Sequence, residues 1–153
     1  MKERKMNNKG FSLVELIIVI AIMAILIVVL APQYLKYVER SRNSTDLQNA
    51  TALKTAVETY VADPESTQTM AATKSFTITM SSTGGTLSGD SDGQAVANAA
   101  LTSAGLTLAD IKCSSKTKWQ TYTITGTMQA NGAIAWSYTP DAFEDAMAGK
   151  SGS

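Results

Sequence analysis

The run KGFSLVELIIVIAIMAILIVVLAP, from Lys9 to Pro32, decides how this chain is read. Between Phe11 and Ala31 it offers about 21 residues, apolar apart from Ser12 and Glu15, and a helix of that length covers the roughly 30 Å hydrocarbon core of a bilayer. We therefore expect a membrane span over residues 11–31. Lys2, Arg4, Lys5 and Lys9 crowd its N-terminal side, so the positive-inside rule places the N-terminus in the cytoplasm and everything after Pro32 outside; Arg40 and Arg42 count a little against that orientation. A secretory signal peptide fits less well. Its apolar middle runs to about 7–15 residues, and a cut after Val29-Leu30-Ala31 would be followed at once by Pro32. One residue is out of place in any plain anchor: Glu15, a carboxylate four places into the run.

The rest of the chain sets further bounds. It has 153 residues, with 13 basic and 13 acidic side chains, no histidine and one cysteine, which leaves room for one modest domain and an appendage. Beyond Pro32 the chain is Ser/Thr-rich, so its core will be small. Nothing after Arg42 forms a basic stripe, and nucleic acid is not indicated as a partner. Cys113 alone forms no intrachain disulfide and reads as a small buried side chain. Without histidine, the usual Cys/His catalytic and transition-metal sets are missing, so we expect no enzyme, no cofactor and no metal.

Lys9-Gly-Phe-Ser-Leu-Val-Glu15 followed by sixteen apolar residues resembles the leader and N-terminal helix of type IV prepilins and their pseudopilin relatives. The resemblance covers roughly residues 5–45; the remainder has no comparable signature. It implies a leader, residues 1–10, removed between Gly10 and Phe11 by a membrane-bound prepilin peptidase that then methylates the new amine of Phe11. Gly10 suits that role, because without a side chain it can lie extended against a protease backbone.

After such a cut Glu15 lies one helical turn from a cationic amine. Two partners are open to it: its own helix terminus, or the amine of a neighbouring subunit entering a fibre, as the resemblance implies. A charge at mid-membrane costs about 2.5–3.5 kcal/mol, less near an interface. A pair 4 Å apart at an effective dielectric of 20 gains about 4 kcal/mol before desolvation. The two nearly cancel, but docking out of register leaves both charges buried and unpaired at about 3–5 kcal/mol. Glu15 therefore reads as a register device, with Leu, Ile and Val as the adhesive. Pro32 cannot donate to the carbonyl of Val28, so a bend is expected there. Some fibres of the resembled kind unwind between a glycine and this proline; this span has no glycine, which counts against unwinding.

Past Pro32 the helix is expected to run on to about residue 63. Leu47, Ala50, Leu53, Val57, Tyr60 and Val61 form one stripe, Asp46, Lys54 and Glu58 fall on other faces, and Asp63-Pro64 ends it. Tyr34 and Tyr37 suit the headgroup layer or subunit contacts. Residues 64–153 read as a head with an antiparallel sheet: Phe76, Ile78 and Met80 alternate with threonines, as do Tyr122, Ile124 and Met128, then Ile134, Trp136 and Tyr138. Asn131-Gly132 signals a type I′ turn between the last two runs. Between the sheet runs we expect a polar loop from Gly84 through Gly93 and a short helix over 94–104, with another short helix over 141–148 and a frayed tail. Asp90-Ser91-Asp92-Gly93 resembles part of a calcium loop but lacks the distal glutamate, and reads as a surface turn. Asn43-Ser44-Thr45 and Asn49-Ala50-Thr51 match the glycosylation pattern by coincidence.

The expected fold is therefore α+β and type IV pilin-like: a long bent N-terminal helix whose amphipathic half, residues 32–63, packs on a small antiparallel sheet. Many relatives staple the C-terminal region with a disulfide. Lone Cys113 leaves the hairpin to packing, and since pilins of Gram-positive bacteria often lack that staple, the resemblance implies such a source. The resemblance implies a homo-oligomeric helical fibre at the cell surface serving motility, adhesion or biofilm formation. It also implies an assembly ATPase and an inner-membrane platform protein as partners, since the chain has no energy-transducing motif. The alternatives are a pseudopilin of a secretion or DNA-uptake system and a lone membrane-anchored binding module.

Overall fold

A computed structural model describes residues 10–150; residues 1–9 of the expected leader, which runs to Gly10, and the last residues of the tail lie outside the described residues. The chain divides into two compact units, one ending at Val38 and the other running from Glu39.

Helix α1 spans Leu13–Ala62, 50 residues, and includes Pro32 without ending there. In the first unit, every side chain from Phe11 to Tyr37 is exposed, including Leu13, Ile17, Ile22, Leu26 and Leu30. An 18-residue window of this part reaches a mean hydropathy of 3.4, and none of it is buried. It is the only stretch among the described residues that is long and apolar enough to cross a membrane. A helix that is apolar on all sides within one chain has its partners elsewhere, in lipid or in other chains.

The second unit holds the core. Strands β1 (Ser75–Ser81), β2 (Gly84–Gly89), β3 (Tyr122–Met128) and β4 (Ile134–Thr139) form one antiparallel sheet in the order β2-β1-β3-β4. Helix α2 spans Ser91–Ser103 and α3 spans Asp141–Met147. As the alternation predicts, Phe76, Ile78 and Met80 of β1 and Tyr122, Ile124 and Met128 of β3 face one side, with Ile124 opposite Ile78. Ala50, Leu53 and Val57 of α1 and Val96, Ala97 and Leu101 of α2 cover them. Threonines line the other side, where Thr77 and Thr125 hydroxyls share a hydrogen bond of 3.0 Å. Phe143 of α3 closes the core. It stacks on Tyr122 at 4.2 Å between centroids and meets Trp119 edge-on at 5.0 Å.

Three expectations need correction. The stretch after Gly84 is not a polar loop: residues 84–89 form the edge strand β2, pairing Thr86 with Thr79 and Leu87 with Ile78. Leu87 alone supplies an inward apolar side chain there, so the strand exists by virtue of main-chain pairing to β1. The following helix starts at Ser91 rather than 94, so Asp90-Ser91-Asp92-Gly93 is a helix start and not a free turn. Gly93 belongs there for space, since a Cβ would lie 2.4 Å from the carbonyl oxygen of Ser75. The hairpin turn is not type I′, because Asn131 keeps a negative φ. Gly132 N–H donates to Gln129 O at 3.0 Å and Gly132 alone is left-handed, at φ 81°, the arrangement of a type I turn closed by a bulge.

Candidate functional site: the helix start and the clamp on the head

Gly10 and Phe11 precede α1, and both are exposed, Phe11 at 93%. The helix start is built by Ser12 and Glu15. The Ser12 N–H donates to Glu15 Oε2 at 2.8 Å, and the Val14 N–H donates to Ser12 Oγ at 3.3 Å. This S-x-x-E pair is a reciprocal cap that satisfies two of the N–H groups a helix leaves unbonded at its start. Within a single chain, then, Glu15 serves its own helix terminus, the first of the two partners weighed above.

A second arrangement was not anticipated. Asp46, assigned above to a polar face, is fully buried. It shares the stripe of Ala50, Leu53 and Val57, all 0% exposed, and lies four residues before the first of them. Its carboxylate accepts from the N–H groups of Ser114 at 2.7 Å and Ser115 at 2.9 Å, and from Trp119 Nε1 at 2.8 Å. Cys113 Sγ lies 3.5 Å from the same oxygen that takes the Trp119 bond. Two helical turns earlier, Glu39 Oε1 accepts from the Ser115 hydroxyl at 2.8 Å and from the N–H groups of Lys116 at 2.7 Å and Thr117 at 2.8 Å. Arg42 lies 3.6 Å from the other Glu39 oxygen. Two carboxylates on one face of α1 thus hold the loop 113–119 that leads into β3. The head is not held by packing alone; this clamp joins the loop to the helix. The spacing of Glu39 and Asp46 on the buried stripe was the sequence signal that could have shown it.

The clamp sets two chemical properties. Burial, the Asp46 charge and the hydrogen bond to it push the Cys113 thiol up to about 12, so it stays a protonated, buried side chain, as expected. For Glu39, burial would raise the carboxyl, but the bonds from Thr117, Ser115 and Lys116 outweigh it and bring it down from 4.5 to about 2. A carboxyl lowered by folding contributes stability that is complete above its unfolded value and lost as pH falls through its folded value. The melting-temperature difference between the wild-type chain and Glu39→Gln should therefore be constant above about pH 4.5 and shrink towards zero near pH 2, with the lower limit set by the pKa of about 2. A difference independent of pH would show that Glu39 does not titrate in the clamp.

The comparisons with known proteins bear on the other end of the chain. Residues 5–31 match the family described as the prokaryotic N-terminal methylation motif. The N-terminal segment is similar to that of proteins named as type IV fimbrial proteins and pilins. The chain is 44% identical over 59 residues to the type IV major fimbrial protein FimA of Dichelobacter nodosus, covering 39% of this chain and 38% of that one. It is 40% identical over 62 residues to prepilin peptidase-dependent protein A of Clostridium perfringens, covering 40% and 44%. It is 37% identical over 59 residues to the type IV major pilin protein PilA of Myxococcus xanthus, covering 39% and 27%. These matches span less than half the length of the relatives. No solved structure matches the chain. The pilin-like α+β architecture, with the C-terminal half of a long helix packed against a four-stranded antiparallel sheet, stands on the structure itself.

Proposed function

We propose that this chain is the structural subunit of a type IV pilus. One observation carries the reading: an uninterrupted exposed apolar helix follows directly on an exposed Gly10-Phe11 pair and a Ser12-Glu15 cap. The N-terminal match to proteins named as pilins supports it. In this reading residues 1–10 are removed by a prepilin peptidase, and the amine of Phe11 is methylated. The apolar helix holds the subunit in the membrane with its N-terminus in the cytoplasm, and Pro32 bends it beyond the span. Polymerisation transfers that surface from lipid to sister helices, which preserves its burial. An assembly ATPase and an inner-membrane platform supply the work, and the role of the chain is structural, without catalysis. Glu15 exchanges its cap for the amine of the incoming neighbour and so fixes the axial register.

The intact mass of protein sheared from cells tests the processing step. The expected chain starts at Phe11 and is heavier by one methyl group. A sheared chain that still begins at Met1 would overturn the proposal.

A further inference from the structure

The clamped loop carries charge that the clamp does not use. Residues 112–120 include Lys112, Lys116 and Lys118, all exposed, and no acid. Glu39 and Asp46 reach this loop, but their bonds go to the N–H groups of Ser114, Ser115, Lys116 and Thr117. The cation beside Glu39 is Arg42, at 3.6 Å. None of the three lysines forms an ion pair with a carboxylate among the described residues; Lys118 Nζ rests 5.9 Å from the centre of the Trp119 ring.

The loop is also held close to the apolar run. Eight residues of α1 separate Ala31 from Glu39, so whatever the tilt of the helix, Glu39 stands no more than about 12 Å beyond the end of the run. Headgroups occupy roughly 5–8 Å outside the hydrocarbon, and an anionic surface acts over a further Debye length of about 8 Å. Lys116 and Lys118, on either side of Thr117 at Glu39, fall within that field. Lys112 lies beside Cys113 at Asp46, about 10 Å further along α1. Phe143 brings α3, with its acids Asp141, Glu144 and Asp145, to Trp119, which is also tied to Asp46.

We propose that Lys116 and Lys118 form a contact site for anionic phospholipid headgroups, and that the clamp thereby holds the head against the bilayer before assembly. The proposal rests on the membrane-held subunit of the pilus reading above. Charge complementarity selects the partner, and each lysine near such a surface raises occupancy about fivefold. The span already confines the head to the surface, so this modest attraction acts at high effective concentration. Because the clamp bonds main-chain groups, it places two ammonium groups there without consuming them.

The test uses the full chain reconstituted in vesicles of phosphatidylcholine, alone or mixed with phosphatidylglycerol. A membrane-impermeant amine-acylating reagent is added and the modified lysines are read by mass spectrometry. Lys116 and Lys118 should react about fivefold more slowly in the anionic vesicles. Lys54, about 22 Å further along α1 than Glu39, should change by less than about twofold, and high salt should abolish the difference. In Lys116→Gln the protection of Lys118 should fall below about twofold with the circular dichroism unchanged, since the clamp takes only the N–H of residue 116. Equal rates in the two kinds of vesicle, or protection that survives high salt, would overturn the headgroup site alone. A chain that floats with neither kind of vesicle would instead overturn the membrane-held subunit, and with it the pilus reading.

Discussion

Asp46→Asn is expected to lower the melting temperature of the purified, detergent-solubilised chain by roughly 10 °C or more, equivalent to a loss of about 3 kcal/mol. The carboxylate accepts from Ser114 N–H, Ser115 N–H and Trp119 Nε1, with the Cys113 thiol beside it, and is wholly buried. Asparagine keeps the shape but replaces one oxygen with an NH₂ group, turning donor against donor where no water can step in. Each buried group left unsatisfied costs about 1–3 kcal/mol, so losing one oxygen disables more than one bond. Asp92→Asn, on the exposed first turn of α2, is the control and should stay within about 0.5 kcal/mol. An Asp46→Asn protein melting within about 2 °C of wild type would mean that the loop 113–119 is held by its apolar contacts and that the clamp adds nothing.

Glu15→Ala should leave leader removal intact and reduce sheared fibre at least tenfold. The informative partner is Glu15→Gln. In the structure the carboxylate caps its own helix through the Ser12 N–H, at 2.8 Å, and glutamine can make that same bond. A lost cap is worth about 1 kcal/mol, whereas an amine buried without its counter-charge costs about 3–5 kcal/mol. If register depends on charge, glutamine fails as badly as alanine. Fibres at wild-type yield from Glu15→Gln would reduce Glu15 to a helix cap and remove the electrostatic account of alignment.

The contrast between these two residues shows what kind of information each required. Glu15 is conspicuous because its neighbours in sequence are all apolar, so its oddity is local and legible. Asp46 looked like an ordinary polar position, because what makes it unusual is a loop 68–73 residues further along the chain. Its place four residues before Ala50 on the stripe was visible, but an acid on a stripe gains meaning only from the donors opposite. The strands β1, β3 and β4 were readable because one face is covered, which imposes alternation. Strand β2 was not readable, since Leu87 alone marks its inward face and its pairing is a main-chain matter. The turn at Gly132 shows the same limit: an Asn-Gly pair promises a tight reversal, but its type depends on how the flanking strands meet.

By itself, then, the sequence determined the length of α1, its exposed apolar half and the amphipathic stripe that ends before Pro64, because hydrophobic period and proline act over a few residues. Only the tertiary structure decided that Asp46 and Glu39 grip the loop before β3 and that Gly93 lets α2 press on β1. Those features depend on which distant main-chain groups come within hydrogen-bonding reach, and no local pattern encodes a distance.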